Sequence, residues 1–517
     1  MIFELPANSS LKRLRSTLRA NSPITEEPVR DLRYGYLDSF DWRLYDAGMV
    51  LASAWQEDCL RLRLCSLAEP WCYTTPALAS CPKLANDIAD PRLRALVAPA
   101  VDGRALLPLV SVDCRERLFR ILNKDGKTVV KLQFCEVRLG AREHRGTPDL
   151  GSWLCLSAVR GYENALEKWR ALVCNDLGAT PQLPFTRYLA AARRQPGDYS
   201  SKLDIRLVQT QRADVAARVI LRHLVKTMIA NEDGIYRDLD PEFLHDFRVA
   251  VRRTRSLLGQ VKSVFPEQRV RRFRVEFAWL GQVTGTARDM DVYLSKFAGL
   301  KTSLPATFQE DLMPLLAHLR AQKDLAHRDL ARALGSSRYK KLKQDWLSLL
   351  DAEVPQCSSL ANATRPIGGV ADECIRRAHR RALKEGKQIR EDSAPPMLHQ
   401  LRRTCKKLRY LLEFFHRLYP GHAMEELLAP LKKLQDNLGE YQDLQVQQEV
   451  LLGFRQSMES SRKLTQANQH AIDLLVQTLV KRQSAVRKEF RGRFRGLQRE
   501  SKRFKTLFRP NIATVQA

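Results

Sequence analysis

His245-Asp246-Phe247-Arg248-Val249-Ala250-Val251-Arg252-Arg253-Thr254-Arg255 returns 154 positions later as His399-Gln400-Leu401-Arg402-Arg403-Thr404-Cys405-Lys406-Lys407-Leu408-Arg409. The same offset carries Leu257, Leu258, Pro266, Leu280, Gly285, Asp289 and Val292 onto Leu411, Leu412, Pro420, Leu434, Gly439, Asp443 and Val446. A match that needs no gap over such a span is an internal duplication. Residues 336–342 resemble 501–507 at an offset of 165, so about eleven residues entered the second copy after Val446.

Apolar residues around the repeat recur with a period near 3.6, which predicts helices over 215–230, 242–265, 270–281 and 312–350. The second copy predicts the same series from 370 to 490 and beyond. Pro266 and Pro420 are expected to stop the long helix of each copy. Gly234, Gly285 and Gly439 are expected in turns between helices. The region from 201 to 517 thus reads as all-α: two bundles of about four helices, over roughly 205–350 and 365–510.

On a helical wheel, Arg248, Arg252 and Arg255 fall at about 300°, 340° and 280° from His245, inside an arc of roughly 80°. Phe247, Val251, Thr254 and Leu258 form a separate apolar stripe for the core. The second copy repeats this, with His399, Arg402, Lys406 and Arg409 on one face and Leu401, Cys405, Leu408 and Leu412 on the other. The preceding helix adds Arg222 and Lys226, and Arg376 and Arg380, each pair four residues apart. Like charges at that spacing repel. The stretch from Arg402 to Arg409 holds five Arg or Lys and no acidic residue. An anion between the helices would relieve it, whereas a solvated basic face would explain the charge but not its spacing appearing twice.

Residues 1–200 read differently, as a β-rich unit. Leu60-Arg61-Leu62-Arg63-Leu64 alternates with period two, as a half-buried strand does. Residues 117–122 and 128–134 flank the turn pair Asp125-Gly126, which predicts a hairpin. Another strand is expected over 153–159, a helix over 163–174, and a linker over 193–200.

The chain of 517 residues has a net charge of +28. Residues 1–200 carry 28 basic against 23 acidic side chains, and residues 201–517 carry 58 against 35. The excess therefore sits with the repeat, and a field of that size recruits polyanions: nucleic acid, anionic membrane or polyphosphate. No apolar run is long enough to span a membrane. The first residues lack the pattern of a secretory signal. Eleven cysteines without CxxC pairs suggest reduced thiols in a cytosolic compartment. No Cys/His grouping has zinc-ligand spacing, so neither a metal nor another cofactor is expected.

Phosphate suits the cations best, because guanidinium presents a planar fork of donors and lysine a point charge. A helix-opening histidine is usually a cap or packed residue. Here His245 and His399 open the basic face in both copies, so both are expected to donate to phosphate.

The duplicated His-x-x-Arg-x-x-x-Arg-Arg-x-Arg pattern resembles the CHAD domain (conserved histidine α-helical domain) over about residues 205–510. The resemblance implies two pseudo-symmetric four-helix bundles with a basic central pore. It further implies inorganic polyphosphate as ligand and a place at bacterial polyphosphate granules in the cytoplasm. Carried over by position, the implied ligands are His245, Arg248, Arg252, Arg253 and Arg255, with His399, Arg402, Arg403, Lys406, Lys407 and Arg409. Arg222, Lys226, Arg376 and Arg380 are additions from the neighbouring helix. Val249 becomes Arg403, so the halves are not chemically equivalent.

Residues 36–44, 47–51, 60–64 and Arg160-Gly161-Tyr162-Glu163 are similar to the CYTH-like triphosphate tunnel fold. Its enzymes open on a Glu-x-Glu-x-Lys strand that holds a divalent metal against triphosphate. Here the start is Glu4-Leu5-Pro6-Ala7-Asn8, and Leu154-Cys155-Leu156-Ser157 has no carboxylate. A degenerate, non-catalytic copy is therefore expected, and the fold class is α+β: an antiparallel β-rich unit followed by duplicated helical bundles. Two alternatives stand beside polyphosphate binding. One is nucleic-acid binding, for which the basic run 481–505 would be available. The other is triphosphatase activity in residues 1–200.

Overall fold

The computed structural model describes residues 1–7, 9–68, 72–140, 148–462 and 464–508. Asn8 of the opening stretch and residues 509–517 of the C-terminal region lie outside the described residues. The chain divides between Ser200 and Ser201 into two compact units.

Among the described residues, the first unit is built on a ten-stranded antiparallel sheet. Its strands are β1 (Ile2–Glu4), β2 (Ile24–Glu26), β3 (Arg30–Asp38), β4 (Met49–Gln56) and β5 (Cys59–Ser66), then β6 (Cys72–Thr74), β7 (Leu107–Leu122), β8 (Thr128–Leu139), β9 (Asp149–Ala158) and β10 (Thr180–Pro181). The order is β10-β1-β9-β8-β7-β3-β4-β5-β6, with β2 paired to β7. Arg63 of β5 reaches Cys155 Sγ of β9 at 3.9 Å although four strands separate them in the sheet, so the sheet is curled. This curled antiparallel sheet is consistent with the CYTH-like barrel that the resemblance implies.

Helices α1 (Leu11–Asn21), α2 (Arg43–Asp46), α3 (Pro91–Val101), α4 (Glu163–Leu177) and α5 (Phe185–Ala191) accompany the sheet. Strand alternation sorts the side chains between its two faces. Leu14, Leu18, Trp169 and Val173 of α1 and α4 pack on Phe119, Leu132 and Leu154. Leu93, Val97 and Val101 of α3 pack on Leu51, Leu62 and Leu64. On the opposite face, Phe185, Tyr188 and Leu189 of α5 pack with Val112, Val137 and Trp153.

The expectation of reduced thiols throughout is corrected at one place. Cys65 and Cys72 stand opposite each other on β5 and β6 and form a disulfide. Strand register brings them together, which spacing along the chain does not reveal. The linker region is fastened rather than loose, since Asp198 accepts from Trp42 Nε1 at 2.8 Å and pairs with Arg194.

The second unit is helical: α6 (Ala213–Tyr236), α7 (Pro241–Gln260), α8 (Glu267–Thr302), α9 (Ala306–Gln309), α10 (Met313–Gly335) and α11 (Ser337–Asp351) in the first repeat. The second repeat has α12 (Ile367–Lys387), α13 (Pro395–Phe414), α14 (Gly421–Ser460), α15 (Gln466–Arg499) and α16 (Ser501–Leu507). The apolar stripes of the wheel are inside: Phe247, Val251, Thr254 and Leu258 are buried, as are Leu401, Cys405, Leu408 and Leu412. The fourth long helix has 23 residues in the first repeat and 34 in the second, a difference that matches the inserted length. No helix among the described residues is long and apolar enough to cross a membrane.

Two expectations about helix punctuation fail. Pro266 and Pro420 sit at the N-caps of α8 and α14, six residues after α7 and α13 have already ended, so they open helices rather than stop them. Proline tolerates a helix start because the missing N–H has no intrahelical acceptor there. Gly234, Gly285 and Gly439 lie inside α6, α8 and α14 and not in turns. Close approach by a neighbour explains the first: a Cβ on Gly234 would fall 2.2 Å from the Phe243 ring. The other two face arginines, with Arg248 at 3.6 Å from the Gly285 Cβ position and Arg402 at 4.0 Å from that of Gly439.

These environments predict opposite outcomes for one substitution. Gly234→Ala should destabilise by about 1–3 kcal/mol, because the buried Phe243 ring has to shift. Gly285→Ala has room and should stabilise by about 0.5–1 kcal/mol through helix propensity. Urea unfolding of both variants checks this; a loss at Gly285 as large as at Gly234 would contradict the placement of Gly285 within a helix.

Candidate functional site

The two motif helices meet each other. Gln260 at the end of α7 donates to the Lys407 carbonyl of α13 at 3.1 Å, and Arg253 of α7 bonds Glu413 of α13 at 2.8 Å. Glu413 also receives Arg409 at 2.7 Å, so one carboxylate ties a cation from each repeat. Since the apolar stripes of α7 and α13 are committed to the core, their basic faces turn aside from it, with Arg248 against α8 and Arg402 beside α14.

An inner group forms from both copies. Arg248 donates to the Gly281 carbonyl at 3.1 Å and to Thr284 Oγ1 at 2.8 Å, which fixes it against α8. Burial pushes Arg248 down to about 10, helped by Arg252 and Arg288 and opposed by Asp289. Burial and the neighbouring Arg288, Arg252 and Arg248 push His245 down to about 4, so its imidazole is neutral at physiological pH and donates through one N–H. Arg402 is lowered by burial and by Arg252, with Asp443 at 4.0 Å opposing. Lys406 is pushed down to about 7 by burial, then by Arg402 and Arg252.

Arg252 thus acts on His245 and Arg248 in its own repeat and on Arg402 and Lys406 in the other. The Nε atoms of Arg252 and Arg402 are buried without a hydrogen-bond partner. An unpaired buried donor costs free energy, more so when it is charged. Asp289 and Asp443 are close enough that Asp443 raises the Asp289 carboxyl, yet burial is the larger cause.

An outer group also draws on both repeats. Arg255 is exposed and is lowered by burial of part of its surface, then by Arg274 and Arg403. Lys407 is lowered by burial, then by Arg381 and Arg403. The Val249/Arg403 difference therefore adds charge to this outer group.

Other expected residues are held elsewhere. Arg253 is nearly buried and is taken up by Glu413 and the Ser201 carbonyl. Arg222 pairs with Asp351 and donates to the Leu350 carbonyl, closing α6 onto the end of α11. Arg376 donates to the Asp372 carbonyl on its own helix, and Lys226 and Arg380 are exposed. His399 is exposed, with Nδ1 2.8 Å from Gln442 Oε1.

Sequence reasoning missed Arg288, which depresses His245 and Arg248. Its counterpart in the second copy is Gln442, so a search for cations matched between copies passes over it. Gly281 and Gln435 are a similar pair: the first admits Arg255 at 3.0 Å from its Cβ position, and the second accepts from Arg409 at 3.4 Å. Among the described residues, no three His, Cys, Asp or Glu side chains gather as a metal site. In the first unit, Glu4 closes β1 and is paired with Arg187.

Residues 219–452 match the family model of the CHAD domain. Among solved structures, the CHAD domain from the plant Ricinus communis is similar at 26% identity, over 56% of this chain and 94% of that one, with a TM-score of 0.47. PptA from Streptomyces chartreusis is similar at 16% identity, over 56% of this chain and 100% of that one, with a TM-score of 0.42. No curated protein matches the sequence. The duplicated motif, its helical setting and the family match agree that residues 219–452 are a CHAD domain.

Proposed function

We propose that the CHAD domain binds inorganic polyphosphate, without transforming it, on the cations that α7 and α13 bring together. The observation that carries this reading is the pair of buried, unpartnered Arg252 and Arg402 Nε donors, set among cations that depress one another. A phosphate chain supplies one negative charge per unit and oxygen acceptors on every side. It would satisfy those donors and restore the proton affinity of Lys406. Nucleic acid is the weaker fit, because single-strand binders interleave aromatic stacking platforms with basic residues. Near this site Phe414 and Phe415 are buried in the core, and Tyr410 is half-buried beside Arg402. The first unit is read as non-catalytic, since Pro6 follows the three-residue β1 and residues 154–157 of β9 offer no carboxylate. A protein of this kind belongs at cytoplasmic polyphosphate granules.

Competition at fixed, near-physiological salt tests the ligand, because affinities for polyanions depend steeply on salt. Long-chain polyphosphate should displace single-stranded DNA, duplex DNA and RNA; equal or tighter nucleic-acid binding would overturn the proposal. Arg252→Glu combined with Lys406→Glu should weaken polyphosphate binding at least tenfold more than Lys488→Glu with Lys502→Glu in the basic α15–α16 region. A larger effect from the second pair would place the site elsewhere.

Lys406 makes the domain pH-sensitive in two opposed ways. Bound polyphosphate raises its proton affinity, so binding takes up a proton and affinity should fall as pH rises through about 7 and beyond. Lys406→Arg should flatten that dependence in titrations between pH 6 and 9. In the free protein, a lysine depressed on folding penalises the fold fully below about pH 7, and the penalty lifts as pH rises toward the ordinary lysine value. Lys406→Met should therefore raise Tm at pH 6 in the absence of ligand, with a smaller gain at pH 9, while weakening polyphosphate binding. An unchanged or lower Tm at pH 6 would show that the crowding is not costly.

A further inference from the structure

The concave side of the first unit's sheet encloses a cavity of about 100 Å³. About 10–15 Å³ of such space admits one water, so it takes roughly seven to ten small heavy atoms. Tyr36, Phe185, Tyr188 and Trp153 give it an aromatic wall, with Tyr36 and Phe185 rings 5.2 Å apart and Trp153 edge-on to Tyr188 at 6.1 Å. Among the described residues, Arg63 is its one cation and Glu116 its one carboxylate. The alternation over residues 60–64 explains how Arg63 gets there: Leu60, Leu62 and Leu64 are buried, and Leu62 and Leu64 face α3, which turns Arg63 to the opposite side.

One polar group in this cavity is buried without a partner, and a second is held only weakly. The hydrogen bond recorded for Arg63 is a weak one, to the Cys155 thiol at 3.9 Å. Trp153 is 3% exposed and its Nε1 has no acceptor. A guanidinium and an indole N–H on the wall of an aromatic chamber want an acceptor that is small, anionic and attached to an apolar body. Glu116 sits on the same wall, and burial raises its carboxyl against the pull of Arg30 and Arg63, which eases its protonation when an anion enters. A single cation cannot match the charge of a triphosphate or a polyphosphate chain.

We infer that this cavity is a binding site for a small aromatic monocarboxylate, held by Arg63 and Trp153 at its anionic end and by Tyr36, Phe185 and Tyr188 around its ring. The site is independent of the polyphosphate reading, since it lies wholly within residues 1–200.

Benzoate, benzamide and benzamidinium are isosteres that separate charge from shape, and calorimetry or thermal shift on the full chain can rank them. Benzoate should bind at least tenfold more tightly than benzamide, the scale of a hydrogen bond to a charged group, and benzamidinium should not bind. Arg63→Gln should abolish the preference for benzoate, whereas Glu116→Gln, which mimics the neutral acid, should retain or tighten binding. Both variants should bind polyphosphate as the parent does. If Arg63→Gln fails to fold, the wild-type ranking of the three isosteres together with Glu116→Gln still decides. Equal binding of benzoate and benzamide, no binding of benzoate at millimolar concentration, a tenfold loss in Glu116→Gln, or displacement of benzoate by tripolyphosphate would each overturn the inference.

Discussion

The second unit depends on a conflict between two requirements placed on the same helices. The apolar stripes of α7 and α13 must be buried, which brings the helices together across the repeats. Burying them also brings Arg252 against Arg402 and Lys406, which repel one another in a place where water is scarce. Ordinary surface lysines and arginines avoid this by snorkelling into solvent. Here the Nε atoms of Arg252 and Arg402 are buried without acceptors, so solvent relieves at most the outer ends of the two guanidinium groups. The local carboxylates answer it in part: Asp443 lies by Arg402 and Lys296, and Glu413 takes Arg253 and Arg409. Glu413 fastens the periphery of the cation group, and Asp443 offsets only part of the charge at its centre, on Arg402 and Lys406. Stability is given up at a place where a polyanion would restore it, as binding sites commonly do.

Much of this was legible because duplication multiplies weak evidence. A single row of cations at helical spacing is ordinary, but the same row at offset 154, with the same apolar stripe beside it, fixes which face is inside and which meets the partner copy. The buried Phe247, Val251 and Leu258, and Leu401, Leu408 and Leu412, follow from that pattern. Glycine and proline were harder. Gly234, Gly285 and Gly439 look like turn residues to any local rule, yet each sits within a helix, Gly234 in its last turn, beside a side chain contributed by another helix. Their meaning is tertiary. The Cys65–Cys72 pair was hidden for a similar reason, since strand register and not chain spacing makes it.

Residues whose role differs between copies escaped the sequence for a distinct physical reason. Arg288 and Gln442 occupy equivalent places, and each addresses the histidine of its own repeat: Arg288 by repulsion, Gln442 by a hydrogen bond to His399. Arg253 and Lys407 are also equivalent, yet Arg253 is consumed by Glu413 while Lys407 is exposed in the outer group. Equivalence in sequence therefore gave the fold correctly and overstated the symmetry of the site.

That asymmetry bears on how a polymer would be held. A phosphate chain presents the same group at every step, so it does not require equivalent halves; it requires cations along a path. The inner group, centred on Arg252 and Lys406, and the outer group of Arg255, Arg274, Arg381, Arg403 and Lys407 both draw on the two repeats. The outer group is the wetter of the two, with Arg255, Arg403 and Lys407 exposed, and it can meet a chain while that chain is still hydrated. The inner group is desolvated, which makes each of its contacts stronger but demands that the chain shed water first. Arranged in that order, and on the proposed reading, the duplicated motif would specify an approach as well as a site: charge would recruit at the rim, and the unsatisfied donors of Arg252 and Arg402 would hold what enters.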